Sequence, residues 1–139
     1  MPLFILDTDH ITLLQRGHPQ VATHLSLIDE KALATTIITY EEQLRGRLAV
    51  VRQYEGTPQL SVAYIRLREM QQFFCAIRLL DFDSAAFLIF DSIRRQHRIS
   101  TLDLRIAAIA LEQGAVLVTR NQKDFVSING LITEDWSAV

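Results

Sequence analysis

Short apolar runs alternate along this chain with longer segments in which apolar residues recur every three or four positions. The short runs predict four strands at residues 3–6, 34–38, 79–82 and 115–119, and a further edge strand at residues 131–133. The longer segments have the periodicity of amphipathic helices. This alternation of strands and helix pairs predicts an α/β fold, with a central parallel sheet of four to five strands flanked by helices.

Capping signals define where several helices begin and end. Thr39 is followed by Glu42 three positions later, which predicts an N-terminal capping box for the helix after the second strand. Ser100 or Thr101 is a candidate N-cap for the last long helix. Gly114 falls where a glycine in the left-handed conformation commonly ends a helix. Residues 7–10 are interpreted as a turn between the first strand and its helix.

The composition limits the class of protein. The chain has 139 residues, of which 49% are hydrophobic and 22% charged, which indicates one globular domain over residues 1–139. No apolar run approaches the ~18 residues of a membrane span, and the N-terminus lacks the charge pattern of a signal peptide. The single cysteine, Cys75, lies in an apolar helical pattern and is predicted to be a core residue. These features favour the cytoplasm.

Basic residues are almost all arginine, and two groups of three lie between residues 45 and 52 and between residues 94 and 98. Arginine suits phosphate contacts because its planar fork donates several hydrogen bonds. Charge runs on helices more often indicate only a solvated face. With a net charge of −2, the chain as a whole lacks the excess of positive charge that would indicate nucleic-acid binding.

Acidic and polar residues collect where the predicted strands end. Because the carboxyl ends of parallel strands meet at one edge of a sheet, four separate segments direct these side chains toward the same place. Crowded carboxylates repel one another, and oxygen ligands suit a hard cation such as Mg²⁺ or Mn²⁺. The four histidines are scattered and make no zinc pattern. The residues at this edge are Asp7, Asp9, Glu41, Glu42, Asp103, Asn121 and Asp124.

Each acid also has a simpler interpretation. Asp103 fits the first turn of a helix, Glu42 fits its capping box, and Asp7 and Asp9 fit an ordinary turn. These interpretations together require four independent acids to meet at one edge by chance. Asp7 also directly follows a core strand, where a carboxylate without a partner is costly. The acidic edge therefore predicts a metal site able to activate water against a phosphodiester.

Three blocks carry a resemblance to a known family. They are LDTDHI at residues 6–11, ITYEEQLRG at residues 38–46 and LDLRIAAIALEQGAVLVTRNQKDF at residues 102–125. In this order and spacing the chain resembles the PIN domain, and within it the VapC-type toxins of bacterial type II toxin–antitoxin pairs. The resemblance covers essentially the whole chain and implies the PIN-like α/β/α sandwich.

The resemblance implies a Mg²⁺- or Mn²⁺-dependent endoribonuclease that hydrolyses RNA and is inhibited by a cognate VapB-like antitoxin. It implies that Asp7, Glu42 and Asp103 bind the metal, with Glu42 rather than Glu41 in the family position. Asn121 stands where many relatives have an acid, and Asp124 matches the later acid and is a fourth predicted metal ligand. The resemblance assigns all five residues, Asp7, Glu42, Asp103, Asn121 and Asp124, to the catalytic set.

Three further residues are assigned auxiliary roles by the same resemblance. Asp9 stands where Asn is common in the family, Thr119 can orient water or phosphate, and Arg120 can contact the RNA backbone. The resemblance also implies a homodimer through the helical hairpin around residues 56–58. Whether the apolar residues of that hairpin are core or interface stays open at this point.

Two alternatives come from other classes. A catalytically impaired PIN scaffold that binds RNA or a protein is favoured by Asn121 and opposed by the retained acids. An aspartate-nucleophile phosphatase is suggested by the D-x-D pattern at residues 7–9. That class needs a lysine near the phosphate and a late acidic pair. Here the only lysines are Lys31 and Lys123, and the first adjacent acidic pair after Asp103 is Glu134–Asp135, in the tail.

Overall fold

Five parallel strands form one sheet in the computed structural model, which describes residues 2–139. The strands are β1 (Phe4–Leu6), β2 (Leu33–Thr36), β3 (Arg78–Leu80), β4 (Val116–Val118) and β5 (Ile132–Glu134). They lie in the order β3-β2-β1-β4-β5, so the first strand of the chain is central in the sheet. Every neighbouring pair is parallel, which brings the carboxyl ends to one edge.

Helices connect the strands and cover both faces of the sheet. They are α1 (Thr8–Gln15), α2 (Pro19–Ser26), α3 (Ile37–Gln53), α4 (Leu60–Ala76), α5 (Ser84–Ile93), α6 (Thr101–Gln113) and α7 (Gln122–Phe125), with a short 3₁₀ turn at Glu30–Ala32. This architecture confirms the predicted α/β/α sandwich with a parallel sheet.

The central strands are buried on both faces. Phe4 and Leu6 of β1 pack in a core with α1, α2 and α4, whereas Ile5 between them packs in a second core with α5 and α6. This follows from the two-residue period of a strand, and β4 alternates in the same way. A fully buried side chain of this size contributes about 1.5–3 kcal/mol. Asp7, at the edge of the sheet that carries the acids, therefore directly follows a strand that is buried on both faces.

The boundary between β2 and α3 corrects the sequence interpretation. Ile37 and Ile38 were predicted as strand residues, but α3 begins at Ile37. Its N-cap is Thr36, whose Oγ1 accepts a hydrogen bond of 3.2 Å from the backbone N–H of Thr39. The predicted capping box at Thr39 is therefore wrong, because the helix starts three residues earlier and Glu42 lies in its second turn. The carboxylate of Glu42 is then free to face another element.

The first helix also begins earlier than predicted. Residues 7–10 were interpreted as a turn, but α1 begins at Thr8 and Asp7 is its N-cap. The extended backbone of Asp7 lets its side chain accept from the N–H of His10, which completes the first turn directly after β1. Asp9 and His10 are therefore fixed by helical backbone rather than held in a loop.

Smaller differences concern strand ends and the cysteine. The predicted strands at residues 79–82 and 131–133 are observed at Arg78–Leu80 and Ile132–Glu134. Cys75, predicted to lie in the core, is exposed on α4, because the buried stripe of that helix runs through Ala63, Met70 and Phe74. Among residues 2–139, none of the helices has the length and apolar character that crossing a bilayer requires.

Candidate active site

Asp7 lies at the carboxyl end of the central strand. Only 8% of the residue is exposed, and its carboxylate is held by the residue three positions later. Oδ1 accepts a hydrogen bond of 2.8 Å from the backbone N–H of His10, and the Nδ1 atom of the same residue lies 3.3 Å away. The helix start thus compensates the burial of this charge and fixes where the carboxylate points.

Glu42 reaches the same region from α3. The hydroxyl of Thr8 donates a hydrogen bond of 2.6 Å to its Oε1 atom, which joins the first residue of α1 to the second turn of α3. Burial raises the pKa of Glu42 above its ordinary value, and the hydrogen bond from Thr8 opposes this. The charges of Asp103 and Asp7 raise this pKa further. Both its burial and its acidic neighbours therefore disfavour the ionised form of Glu42.

Asp103 is the third acid and comes from the first turn of α6. Ser100 caps this helix as predicted, since its Oγ atom accepts a hydrogen bond of 3.1 Å from the N–H of Asp103. Gly114 ends the helix in the left-handed conformation, also as predicted. Burial raises the pKa of the Asp103 carboxyl, a side-chain hydrogen bond from Ser100 lowers it, and the charges of Asp7 and Asp124 raise it.

These acids line an open pocket of about 560 Å³ at the carboxyl edge of the sheet. Three of the four predicted metal-binding acids thus line one pocket, from the N-cap of α1, from α3 and from α6. The pocket is lined by Asp7, Thr8, Asp9, Thr12, Glu42, Asp103, Arg120 and Asn121.

The fourth predicted metal-binding acid, Asp124, lies outside the lining of this pocket. Its Oδ2 atom accepts a hydrogen bond of 2.6 Å from Nδ2 of Asn121, which does line the pocket. The fully buried Thr119 accepts 3.0 Å from the N–H of Asn121 and so holds the loop after β4. Asn121 therefore links Asp124 to the pocket by a hydrogen bond, and Thr119 acts on the loop backbone.

Arg120 forms a bidentate ion pair with Asp9. Its Nε atom lies 2.5 Å from Oδ2, and its Nη2 atom lies 3.0 Å from Oδ1. Both side chains are about half exposed. The hydrogen bond with Asp9 raises the pKa of Arg120, so the guanidinium stays charged. This pair joins the loop after β4 to the first turn of α1 and adds one cation to an acidic pocket.

Sequence reasoning missed Thr8 and Thr12 as residues of the pocket. Thr8 stands inside the first motif block between two acids, yet its partner Glu42 is 34 positions away. The hydroxyl of Thr8 also lies 3.1 Å from that of Thr39, the residue that had been taken for a cap. The available signal was a polar first turn directly after a buried strand, which marks residues 8 and 12 as facing the same edge.

The side chains around this pocket fit a hard divalent cation. The carboxylates of Asp7, Glu42 and Asp103 offer only oxygen donors, which Mg²⁺ and Mn²⁺ prefer. The raised pKa values of Glu42 and Asp103 reflect burial and mutual repulsion, which a cation between them relieves. Within residues 2–139, no three acid, histidine or cysteine side chains stand close enough to form a ready-made metal cage.

The profile of the PIN domain family matches residues 4–131. This chain belongs to the PIN domain family. The match confirms the resemblance inferred from the three sequence blocks, and it leaves the phosphatase alternative without support. The acidic pocket therefore lies at the carboxyl edge of a PIN domain sheet.

Relatives and solved structures agree with this assignment. The chain is 28% identical to the tRNA(fMet)-specific endonuclease VapC of Shigella flexneri, with 96% of this chain and 98% of the relative covered. It is 28% identical to ribonuclease VapC1 of Haemophilus influenzae, with 97% and 98% covered. The crystal structure of DNA-bound VapBC from Salmonella typhimurium aligns with a TM-score of 0.77 and 25% identity, covering 98% of this chain and 99% of the other.

Proposed function

We propose that this chain is a metal-dependent endoribonuclease and the toxin of a type II toxin–antitoxin pair. The observation that carries the proposal is the pocket that Asp7, Glu42 and Asp103 line from three separate segments of a PIN domain. The relatives named as endonuclease and ribonuclease VapC support the reaction class. The functional unit is the single domain of residues 1–139, acting on RNA in the cytoplasm.

Asp7, Glu42 and Asp103 are the residues that would hold Mg²⁺ or Mn²⁺. The chemistry that such a cation supplies when bound is a lowered pKa of the attacking water and neutralisation of charge on the scissile phosphate. Thr8 contributes by orienting the Glu42 carboxylate and by favouring its ionised form. Asp7 contributes a carboxylate that the α1 N-terminus already holds in place.

Asn121 and Asp124 complete the proposed catalytic set. Asn121 offers a neutral amide to the pocket, while its Nδ2 donor is engaged by Asp124. This pairing directs the Oδ1 atom of Asn121 away from Asp124, so a carbonyl oxygen is available for a water or a phosphate-bound cation. Arg120 on the loop after β4 and Lys123 on α7 supply positive charge for RNA phosphates, and Asp9 holds Arg120 by the ion pair.

Cleavage of total RNA by the purified chain tests the proposal. Mg²⁺ or Mn²⁺ is added to the parent, to an Asp7→Asn variant and to an Asp91→Asn control. Asn caps a helix as well as Asp does, so α1 is retained while the ligand charge is lost. Asp91 is an acid on α5 that pairs with Arg94 and does not line the pocket. We expect cleavage by the parent and the control.

The Asp7→Asn variant should cleave more than about 100-fold more slowly, since even partners of metal ligands cost roughly 10–100-fold. Cleavage that persists in excess EDTA would contradict the metal requirement. RNA binding without cleavage at any cation concentration would instead support the non-catalytic scaffold. The neutral side chain of Asn121 in the pocket is the observation that favours this alternative.

The proposed partners are an RNA substrate, a VapB-like antitoxin and a second copy of the chain. The antitoxin follows from relatives whose solved structures are VapBC toxin–antitoxin complexes. The dimer is supported by exposed apolar side chains on the α3–α4 hairpin, at Leu48, Val62, Tyr64 and Ile65. Leu67 of the same hairpin packs against the core, which separates it from the proposed interface. Sedimentation of the purified chain tests the dimer.

A further inference from the structure

His10 connects the pocket to the C-terminal residues. The side chain is fully buried, at 0% exposure, although it belongs to a helix that begins beside the pocket. Its Nδ1 atom lies 3.3 Å from Oδ1 of Asp7. Its Nε2 atom lies 3.2 Å from the backbone nitrogen of Trp136 and 3.4 Å from Oδ1 of Asp135. The imidazole therefore has polar groups at both nitrogens.

The contact with Trp136 assigns the tautomer of this histidine. A backbone N–H can only donate, so the 3.2 Å hydrogen bond from Trp136 requires Nε2 to accept. The Asp135 oxygen that lies 3.4 Å from Nε2 already accepts two shorter hydrogen bonds from Ser137, so it does not compete for a proton on this nitrogen. The ring proton then resides on Nδ1, where it points at the carboxylate of Asp7. This is the arrangement in which a partner fixes one nitrogen and the other orients a ligand group.

The C-terminal residues are themselves held in place. The Trp136 side chain is 1% exposed and stacks on His24 with ring centroids 5.5 Å apart. It also packs against Phe4 of β1 at 5.4 Å. Oδ1 of Asp135 accepts hydrogen bonds of 2.8 Å and 2.6 Å from the backbone N–H and the hydroxyl of Ser137. The N–H that faces His10 is therefore fixed by packing and by a tight turn.

Within residues 2–139, both hydrogen-bond donors to the Asp7 carboxylate come from His10 and contact the same oxygen. The backbone N–H and the Nδ1 atom both contact Oδ1, at 2.8 Å and 3.3 Å, and neither of these contacts uses Oδ2. Two donors on one oxygen set the rotation of the carboxylate about its bond to the chain. This leaves Oδ2 as the oxygen of Asp7 that can serve the pocket.

We propose that His10, held by the backbone N–H of Trp136, is a positioning residue that orients the Asp7 carboxylate for a divalent cation. The proposal rests on the metal-dependent function above and extends it to residues that do not line the pocket. An apolar side chain could fill the space of His10, but it would leave Oδ1 of Asp7 with one donor and the N–H of Trp136 with none.

Three substitutions of His10 test this by their effect on the binding of Mn²⁺ alone, measured by titration calorimetry on the full chain. His10→Asn places an amide N–H where Nδ1 stands and keeps a donor for Asp7. His10→Gln reaches the position of Nε2 and loses that donor, and His10→Phe loses both contacts. We expect an affinity close to the parent for His10→Asn. His10→Gln and His10→Phe should bind roughly 10-fold or more weakly, as is usual for partners of metal ligands.

The outcomes separate the possible causes. Parent-like Mn²⁺ affinity in folded His10→Gln and His10→Phe would overturn the proposal, and so would an equal loss in His10→Asn and His10→Gln. A parent that binds no Mn²⁺ would count against the proposed function itself. The ¹⁵N shifts of the His10 ring in the parent provide a second test that needs no variant. We expect the Nδ1-protonated tautomer, and an Nε2-protonated ring would overturn the proposed contact.

Discussion

The hydroxyl of Thr8 donates to Oε1 of Glu42 across 2.6 Å, and this bond joins the first helix of the chain to the third. A hydrogen bond to a carboxylate favours its charged form. Burial and the charges of Asp103 and Asp7 act in the opposite direction on the same group. Thr8 therefore lowers the pKa of Glu42, which burial and the neighbouring acids raise.

A Thr8→Val substitution should raise the pKa of Glu42 further, because it removes the hydroxyl and keeps the shape of the side chain. The lost bond should also lower the free energy of unfolding by about 1 kcal/mol. A ¹³C NMR titration of the Glu42 carboxyl measures the pKa, and urea denaturation measures the stability. Thr23→Val is the control, since the Thr23 hydroxyl bonds to Pro19 on an exposed helix. An unchanged Glu42 pKa in the Thr8→Val variant would show that the bond has no such effect.

The raised pKa of Glu42 predicts a pH dependence of stability in the presence of chelator. The folded state holds this proton more tightly than the unfolded state does, so stability falls as pH rises from the ordinary value of 4.5 through the folded pKa. Glu42→Gln keeps an acceptor for Thr8 and removes the titration. The free energy of unfolding of this variant, relative to that of the parent, should therefore increase with pH across that range.

Asp91 provides a control of opposite sign for this experiment. Its hydrogen bond from Arg94 lowers its pKa, so its contribution to stability is lost as pH falls. In urea denaturation from pH 3 to pH 8, the free energy of unfolding of Asp91→Asn relative to the parent should decrease with pH, whereas that of Glu42→Gln should increase. Parallel curves for the two variants would contradict the burial and repulsion assigned to Glu42.

Removing Arg120 should separate RNA binding from cation binding. The exposed ion pair with Asp9 contributes only about 0–1 kcal/mol to folding, so Arg120→Ala should remain folded. With one positive charge lost beside the acids, Mn²⁺ should bind more tightly, whereas the KM for RNA should rise several-fold with a smaller change in kcat. Arg94→Ala, which breaks the Asp91 pair on α5, should change neither quantity. Weaker Mn²⁺ binding by Arg120→Ala would refute this charge argument.

The cap of α6 supports the position of Asp103. Ser100→Ala should lower the free energy of unfolding by about 1 kcal/mol, because the N–H of Asp103 loses its acceptor. Ser100→Thr retains a hydroxyl and should stay within a few tenths of the parent. Urea denaturation of the two variants side by side measures the cap. Equal stability of the two would mean that the hydroxyl of Ser100 does not cap the helix.

Local signals predicted those parts of the fold that local chemistry determines. Ser100 and Gly114 define the ends of α6 because a cap and a left-handed glycine act within one helical turn. The start of α3 was missed because Thr36 and Thr39 are both good caps, and because the two isoleucines between them suit a strand as well as a buried helix face. Packing against the sheet determines whether these isoleucines are in a strand or in a helix, and a short segment of sequence does not contain that information.

The candidate site divides in the same way. The meeting of Asp7, Glu42 and Asp103 was predictable because the carboxyl ends of parallel strands share an edge. The contact of His10 with Trp136 was not, because it joins residues 126 positions apart and depends on how the tail folds back. The contact of Asp124 with Asn121 depends on the four-residue helix α7, which is too short to leave a periodic pattern.

The central place of β1 has a consequence for how the protein is made. Ribosomes add roughly 5–20 residues per second, and β1 emerges first. Its neighbour β4 and the acid at residue 103 emerge only after about three quarters of the chain, and the partner of His10 follows at residue 136. A nascent chain therefore carries Asp7 and Glu42 without the strand and helix that complete their pocket. The acidic pocket can therefore form only after Arg120 and Asn121, the last residues of its lining, have been added to the chain.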